Sequence, residues 1–254
     1  MGAIPQRIVS LNPTTTELVF ALGAGDKLVG RTTWDLFPAQ AKNVPDLGPG
    51  IRPNIEAVLA TRPDLVLLYG SSDNRAAAQR IRGAGINTLS LKIDSIVEFQ
   101  RAVTLLGAVL GDTAVAATVR DSVTKSLDAV RAATAGLKKP VVFWHIWDAP
   151  PITIGRGSYM NELTEIAGGT NVYADISAPS PTVSIEDVVK RNPEFMLAGP
   201  EGLVMLRKNP RWQQVPAVRG GKILVLDTML VARPGVRLGE AAWSLARLIH
   251  PELK

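Results

Sequence analysis

The sequence predicts an α/β protein built from two similar lobes, because strand-like and helix-like segments alternate and one helix–strand pair occurs twice. The two copies are residues 54–69 (NIEAVLATRPDLVLLY) and 184–199 (SIEDVVKRNPEFMLAG). In each copy a residue that favours helix N-termini, Asn54 or Ser184, precedes a short amphipathic helix. A proline then ends the helix, and the apolar run that follows is typical of a buried strand.

The alternation continues along the rest of the chain. Strands are predicted at residues 7–11, 28–30, 65–68, 87–91, 141–144, 195–198 and 223–226. Further helices are predicted at residues 17–22, 74–83, 96–110, 158–167, 202–208 and 236–248. We expect Thr15 or Thr16 to cap the first of these helices. Such alternation indicates parallel strands covered by helices.

One segment between the two lobes differs in character. Residues 112–135 contain no Gly or Pro, and apolar residues recur at helical spacing: Val115, Val119, Val123, Leu127 and Val130. A helix of this length spans about 35 Å. We predict a rigid bridging helix within residues 112–137, between an N-terminal lobe of residues 1–111 and a C-terminal lobe of residues 138–254. The alternative is a surface helix of one larger domain.

Composition limits the class of protein. Hydrophobic residues make up 46% and charged residues 20% of the 254 residues, a globular balance without an apolar run of membrane-spanning length. Cysteine is absent, which excludes disulfides, thiolate catalysis and cysteine-ligated metals. The net charge is +5, but the basic residues are scattered, so we expect no nucleic-acid partner. A basic surface for an anionic ligand, or simple solubility, explains this charge.

The residues that could carry catalysis or hold a metal are few. His145 and His250 are the two histidines, and we expect His250, near the end of the sequence, to be solvated. We therefore expect no multi-histidine metal site. The G-x-S-x-G, phosphate-loop and dinucleotide motifs are absent. Asp35, Asp148 and His145 could form an acid/base group only if the fold brought them together.

Four aromatic residues lie at the exits of predicted strands: Trp34, Tyr69, Trp144 and Trp147. Ligands bind at the carboxyl ends of strands in open α/β sheets, so these four residues are candidates for contact with a large, flat or apolar ligand. The alternative for each is a core or rim position, which we favour for Trp212 and Trp243. Arg31, Arg52 and Arg233 lie in similar loops and could hold carboxylates or phosphates; otherwise they are solvated charges.

Several segments, in order, resemble one family. They are RIVSLNPTTTELVFALGAGDKLVG, PNIEAVLATRPDLVL, GINTLSL, the long helix, NELTEIAGGTNVY, VSIEDVVKRNPEFML and RPGVRLGEAAWSLARLIHPEL. The pattern is similar to that of periplasmic substrate-binding proteins of bacterial ABC importers, in the subgroup for vitamin B12, ferric siderophores and haem. The cobalamin-binding members are the most similar in pattern.

The resemblance implies two Rossmann-like lobes with parallel-rich sheets, joined by a single rigid helix, with a ligand cleft between the lobes. It also implies a monomer that docks to a dimer of membrane permease subunits through one glutamate on each lobe. These glutamates correspond to Glu56 and Glu186, where the helix dipole also stabilises a carboxylate. The alternative is that both are ordinary charges at helix N-termini.

Ligand-binding residues are also carried over from the family pattern. Pro13, Thr14, Trp34, Tyr69 and Arg233 match residues of its cleft loops, and Trp144 and Trp147 lie at the first strand exit of the second lobe. The sequence departs from the pattern at Gly50 and Ser180, where cobalamin binders often carry a large aromatic residue. The loop at residues 37–53 contains no Tyr or His of the kind that ligates haem iron.

We therefore expect a non-enzymatic binding protein without a resident cofactor, which delivers cobalamin or another corrinoid to an importer. A ferric siderophore is the second candidate, and haem or a small oxyanion follows. An enzyme on paired Rossmann-like lobes is the alternative from a different class. The expected location is periplasmic or extracytoplasmic. Residues 1–5 are too short and polar for a signal peptide, and any natural signal or lipid anchor lies outside this sequence.

Overall fold

A computed structural model describes residues 3–253. Met1, Gly2 and Lys254 lie outside the described residues, and with them part of the segment for which we expected no signal peptide. The chain divides into two compact units. The first contains residues 3–122 and Arg233–Val236, and the second contains Val123–Ala232 and residues 237–253.

The first unit is built on one four-stranded sheet. Its strands are β1 (Ile8–Leu11), β2 (Leu28–Gly30), β3 (Leu65–Tyr69) and β4 (Asn87–Leu91). Its helices are α1 (Pro13–Ala21), α2 (Ile55–Ala60), α3 (Ser72–Gly83) and α4 (Ile96–Leu110). The strand order is β2-β1-β3-β4, and every pair is parallel. Apolar side chains of β1 and β3 pack against α2 and α3.

One long helix connects the units. Helix α5 (Thr113–Thr134) contains 22 residues, and the boundary between the units falls within it, after Ser122. The backbone N–H of Val115 donates to the Asp112 carboxylate, which caps the first turn. The periodicity of residues 112–135 thus locates this helix correctly. Its rigidity and the lobe boundaries given above remain predictions.

The second unit repeats the architecture of the first. Its strands are β5 (Val141–His145), β6 (Trp147–Asp148), β7 (Pro151–Ile152), β8 (Thr170–Asn171), β9 (Phe195–Ala198) and β10 (Ile223–Val225). Its helices are α6 (Tyr159–Ile166), α7 (Ile185–Arg191), α8 (Pro200–Lys208), α9 (Pro216–Arg219), α10 (Thr228–Val231) and α11 (Leu238–Ile249). The main sheet, β10-β9-β5-β8, is parallel throughout, and β6 and β7 form a small antiparallel pair.

The α/β class with parallel-sheet lobes is therefore confirmed. The repeated helix–strand unit is also confirmed, since it forms α2–β3 in the first unit and α7–β9 in the second. Asn54 and Ser184 each accept a hydrogen bond from the backbone N–H three residues later, as N-cap residues do. The same local sequence thus gives the same local structure in both units.

Three local expectations are wrong. Helix α1 begins at Pro13, not Glu17, because Asn12 caps it and proline suits the first helical position. Thr15 does not cap this helix; its hydroxyl bonds to Ser10 and to the Asn12 carbonyl. His250 is not solvated. It is 3% exposed, and its Nε2 lies 3.2 Å from the carbonyl oxygen of Gly168.

Several short elements were not predicted. They are the pair β6–β7, strand β8, helices α9 and α10, and 3₁₀ turns at Gly25–Lys27, Ala39–Asn43 and Trp212–Gln214. Such elements are too short to show a hydrophobic period. Over residues 3–253, no helix combines the length and the apolar character that a membrane crossing requires.

Candidate ligand-binding site

The second unit contains a pocket of about 520 Å³ at the carboxyl edge of its main sheet. Residues that follow β5, β9 and β10 line this pocket, together with side chains of α6, α8 and α10. The described lining is Trp144, His145, Ile146, Trp147, Met160, Gly199, Pro200, Glu201, Gly202, Met205, Leu226, Thr228, Val231 and Ala232. Carboxyl ends of parallel strands are where α/β proteins bind ligands, and a largely apolar lining suits an extended, poorly charged one.

Two predicted aromatic residues line this pocket in different ways. The Trp147 side chain is 56% exposed, and its Nε1 donates to the Ala149 carbonyl, which leaves the ring available at the pocket wall. Trp144 is 2% exposed, and its Nε1 donates to the Thr164 hydroxyl. The Trp147 ring is therefore exposed at the pocket wall, whereas Trp144 is a core side chain that belongs to the pocket lining.

A polar cluster adjoins the same pocket. His145 Nε2 lies 3.4 Å from Asp148 Oδ1, and the same carboxylate oxygen accepts a hydrogen bond of 2.5 Å from Trp212 Nε1. Burial raises the pKa of Asp148, but hydrogen bonds from Trp212, His145 and Asn209 outweigh it and hold that pKa below its ordinary value. Burial lowers the pKa of His145. The cluster is therefore a neutral imidazole beside a carboxylate. Trp212 itself is fully buried, as favoured from the sequence.

In the first unit, the aromatic candidates also differ in exposure. Trp34 is 62% exposed, and its carbonyl oxygen accepts a hydrogen bond of 3.1 Å from Arg233 Nη1. Tyr69 is half-buried, and its hydroxyl donates to Asp94 Oδ1 at 2.6 Å. Burial and this carboxylate both raise the pKa of Tyr69. Trp34 presents a free ring, and Tyr69 is fixed by its hydroxyl.

The remaining candidates of the first unit lie at helix starts and in loops. Pro13 and Thr14 form the first turn of α1, where the Thr14 backbone N–H donates to the Asn12 side chain. Arg52 is highly exposed and pairs with Asp73 at 2.9 Å. The arrangement keeps Arg52 at the surface, with its charge partly balanced by its neighbour.

Arg31 and Asp35 are internal structural groups of the first unit. The Arg31 guanidinium is 10% exposed and donates to the carbonyls of Val44 and Thr32, so the expectation of a ligand-binding or solvated arginine is wrong. The Asp35 carboxylate is buried and accepts hydrogen bonds from Thr16 and Thr32. Burial raises the pKa of Asp35, and these hydrogen bonds oppose that rise. The Asp35 carboxylate therefore makes these hydrogen bonds within the first unit.

Gly50 has a physical reason to lack a side chain. A Cβ placed there would lie 2.2 Å from the carbonyl oxygen of Leu11, far inside van der Waals contact. The backbone at this position could not carry the aromatic residue of the related pattern without moving. Ser180 is exposed and adds no ring. Aromatic contact therefore has to come from other residues.

The two predicted docking glutamates occupy equivalent positions. Glu56 and Glu186 are the second residues of α2 and α7, and both side chains are largely exposed. A hydrogen bond from its own backbone N–H, followed by the hydrogen bond from Arg211, lowers the pKa of Glu186. Both side chains thus present their carboxyl groups to solvent.

Sequence reasoning missed the opposite wall of the pocket. Gly199 joins β9 to α8, Pro200 and Gly202 lie in the first turn of α8, and Thr228 begins α10 after β10. A Gly-Pro pair directly after a buried strand was the available signal, because glycine permits close approach and proline favours a helix start. Within residues 3–253, no group of three or more His, Asp or Glu side chains is arranged to hold a metal ion.

Comparison with known proteins shows the family. The model of the periplasmic binding protein family matches residues 8–230. An uncharacterised ABC transporter substrate-binding lipoprotein, YvrC of Bacillus subtilis, is 31% identical over 98% of this chain and 81% of its own length. A vitamin B12-binding protein of Vibrio vulnificus is 26% identical, over 91% and 85%.

Solved structures agree with this assignment. The haem-binding protein RhuT of Roseiflexus, in its apo form, superposes with a TM-score of 0.87 at 25% identity, over 98% of this chain and 99% of its own. The agreement extends over nearly the full length of both chains, and the sequence match covers both compact units. The chain belongs to the periplasmic binding protein family.

Proposed function

We propose that this protein captures a corrinoid, with cobalamin as the first candidate, and delivers it to an ABC-type importer. Family membership makes the chain the substrate-binding component of such an importer, acting outside the cytoplasmic membrane. The relatives are transport proteins, which favours binding over catalysis. The identity of the ligand is the part that we propose.

The observation that carries the corrinoid proposal is the pocket of about 520 Å³ with the exposed ring of Trp147 at its wall. An extended apolar surface with few polar groups suits a large macrocycle better than a small oxyanion. The vitamin B12-binding relative supports the same choice. We propose Pro13, Thr14, Trp34, Arg52, Tyr69 and Arg233 as the ligand-binding residues of the first unit. Trp144 and Trp147 are those of the second.

A ferric siderophore is the second candidate. The net charge of +5 and the exposed Arg52 favour an anionic chelate, although Asp73 already balances that arginine. Haem ranks lower, since residues 37–53 offer no Tyr or His to ligate iron and the hydroxyl of Tyr69 is engaged by Asp94. An enzyme is disfavoured, because the Asp35 carboxylate is buried and occupied by Thr16 and Thr32.

We further propose that the protein is a monomer and that Glu56 and Glu186 dock it to a permease dimer. Their equivalent positions in the repeat and their exposure support this role.

Equilibrium dialysis against cyanocobalamin tests the corrinoid proposal, because the bound vitamin is measured directly by its visible absorbance. Unmodified protein should retain one cyanocobalamin per chain. Trp147→Ala should bind more weakly, whereas Trp243→Ala, which removes a ring packed on Arg247, should bind normally. Equal concentrations of cyanocobalamin in the protein chamber and the buffer chamber would overturn the corrinoid proposal and favour ferric siderophores.

A further inference from the structure

The exposed ring of Trp147 belongs to a hairpin with little support of its own. Strands β6 and β7 contain two residues each, and they pair Trp147 with Ile152 and Asp148 with Pro151. Among the described residues, β6 pairs with no strand other than β7. Isolated two-stranded hairpins are at best marginally stable in water. The position of the Trp147 ring therefore depends on contacts that join β6 to the rest of the second unit.

Asp148, the neighbour of Trp147 in β6, makes such contacts through its side chain. Its Oδ1 accepts a hydrogen bond of 2.5 Å from Trp212 Nε1 and lies 3.4 Å from His145 Nε2. Its Oδ2 lies 3.5 Å from Asn209 Nδ2. These three partners come from the end of β5, the C-terminal end of α8 and the 3₁₀ turn that follows α8. One carboxylate thus connects β6 to three other elements of the second unit.

Trp212 is the strongest of these connections. Its side chain is fully buried, and the ring centroids of Phe143 and His145 lie 5.7 Å and 5.5 Å from that of Trp212. An indole N–H can only donate, and a buried donor without an acceptor is costly. Asp148 supplies this acceptor. The packing of Trp212 therefore determines where the carboxylate lies.

The side chains of Asp148 and Trp147 lie on different faces of β6. Successive side chains of a strand point to opposite faces, so an Asp148 side chain directed at Trp212 leaves the Trp147 ring on the other face. There the ring lines the pocket and is 56% exposed. Asp148 itself is not among the described lining residues. Any effect of Asp148 on a ligand in this pocket is therefore expected to act through the neighbouring ring.

We propose that Asp148 is a positioning residue of the ligand-binding site, which fixes β6 to the buried Trp212 and so holds the Trp147 ring at the pocket wall. The inference rests on the corrinoid function proposed above, since it treats this ring as a contact surface for the macrocycle. A side chain that is ordered before binding loses less conformational freedom on binding, and affinity is higher for that reason.

Calorimetric titration with cyanocobalamin measures the effect on affinity. Asp148→Ala removes the acceptor and should weaken binding about 2- to 10-fold, as expected when the contact of one aromatic ring is lost. Trp212→Phe removes the donor, keeps an aromatic ring and should weaken binding to a similar extent. Asp148→Asn keeps an oxygen that can accept from Trp212 Nε1, so it should retain most of the affinity.

Asp187→Ala is the matched control for a purely structural effect. Asp187 is another aspartate of the second unit, and its Oδ2 accepts a hydrogen bond of 2.8 Å from the hydroxyl of the buried Tyr173. It is not among the described lining residues of the pocket. Asp187→Ala should lower the free energy of unfolding and leave the affinity unchanged. Equal losses of affinity in Asp187→Ala and Asp148→Ala would overturn the inference.

A double-mutant cycle tests whether Asp148 acts through Trp147. Trp147→Ala should itself weaken binding of cyanocobalamin. Adding Asp148→Ala to Trp147→Ala should cause no further loss of affinity, because the ring that Asp148 positions is then absent. Losses that multiply in the double variant would show that Asp148 acts independently of the ring, which contradicts a positioning role.

Fluorine NMR tests the position of the ring without a ligand. In protein labelled with 5-fluorotryptophan, the resonance that disappears in Trp147→Phe belongs to Trp147. This resonance should shift or broaden in Asp148→Ala and stay unchanged in Asp187→Ala. An unchanged Trp147 resonance in Asp148→Ala would overturn the inference.

The outcomes distinguish the inference from the function on which it rests. If unmodified protein binds cyanocobalamin and Asp148→Ala binds it equally well, the positioning inference is wrong and the corrinoid function stands. If unmodified protein does not bind cyanocobalamin, the corrinoid function is overturned, and the fluorine resonance of Trp147 decides whether Asp148 positions the ring.

Discussion

Arg211 Nη2 lies 3.0 Å from Glu186 Oε1 in the second unit, and the first unit places Arg80 Nη2 4.0 Å from Glu56 Oε1. Each copy of the repeat thus presents an exposed carboxylate with an arginine beside it. Exposed pairs of this kind add little to stability. An arginine from a partner protein can therefore replace the internal one at small cost.

The docking proposal predicts that Glu56→Ala combined with Glu186→Ala abolishes stimulation of the permease ATPase while ligand affinity stays unchanged. Removal of both carboxylates eliminates the groups that would pair with arginines on the permease. The measurement is ATPase activity of the reconstituted importer, together with calorimetric affinity for the same ligand.

Glu240→Ala is the matched control for docking, because Glu240 is also an exposed glutamate in the first turn of a helix. It should stimulate the ATPase normally. Normal stimulation of the ATPase by the double variant, or a parallel loss of ligand affinity, would show that Glu56 and Glu186 do not have the proposed docking role.

Loss of either repeated helix cap should destabilise the protein. We expect Asn54→Ala and Ser184→Ala each to lower the free energy of unfolding by about 0.5–2 kcal/mol, because each leaves a backbone N–H of the first turn without its acceptor. Urea unfolding measures the change. Asn54→Asp and Ser184→Thr retain the acceptor and should lose less. Equal losses for conservative and alanine variants would argue against capping.

The Asp148 carboxylate should contribute stability that depends on pH. Its pKa is lowered in the folded protein, so its contribution is present above the unfolded value of about 3.9 and is lost as the pH falls below it. Asp148→Asn should therefore cost about 1–2 kcal/mol at pH 7, and the difference from unmodified protein should shrink below about pH 4.

Chemical denaturation at pH 7 and at successively lower pH values measures this dependence. Asp26→Asn, at an exposed position, serves as the control and should show no comparable loss at pH 7. A cost for Asp148→Asn that stays constant down to pH 2 would contradict a role for the ionised carboxylate.

Close packing of α11 on α5 should make Gly239 sensitive to substitution. A Cβ at Gly239 would lie 1.8 Å from Ser126 Oγ and 2.3 Å from Ser126 Cβ. Gly239→Ala should thus destabilise the second unit by about 1–3 kcal/mol, as overpacking does. Ser126→Gly removes the side chain that the new Cβ would meet. The double variant should therefore be more stable than the sum of the two single changes in unfolding free energy predicts. Additive losses in thermal unfolding would show that the two residues are not in contact.

Strong periodic patterns allowed much of the fold to be predicted. Helix α4 at Ile96–Leu110 and strand β9 at Phe195–Ala198 have the expected bounds, because continuous apolar patterns end at clear caps and breakers. His250 was mispredicted because its burial depends on Gly168, which is distant in sequence. Helix α1 begins four residues before the predicted start because Asn12 caps it and Pro13 occupies the first helical position.

The candidate pocket was predictable only on one side. Trp144 lies near the carboxyl end of β5 and Trp147 lies two residues after it, so the rule for strand ends identified them. The wall formed by α8 and α10 comes from segments tens of residues away, and its apolar side chains resemble ordinary core residues. The connection of β6 to the rest of the second unit depends on three-dimensional contacts of Asp148 with Trp212 and Asn209, which no spacing in the sequence encodes.

Titration calorimetry with cyanocobalamin tests the central claim most directly. Corrinoid capture predicts saturable binding with one site per chain and a dissociation constant between nanomolar and micromolar, accompanied by quenching of tryptophan fluorescence. The absence of heat and quenching with cyanocobalamin, together with saturable quenching by a ferric siderophore, would contradict the corrinoid assignment.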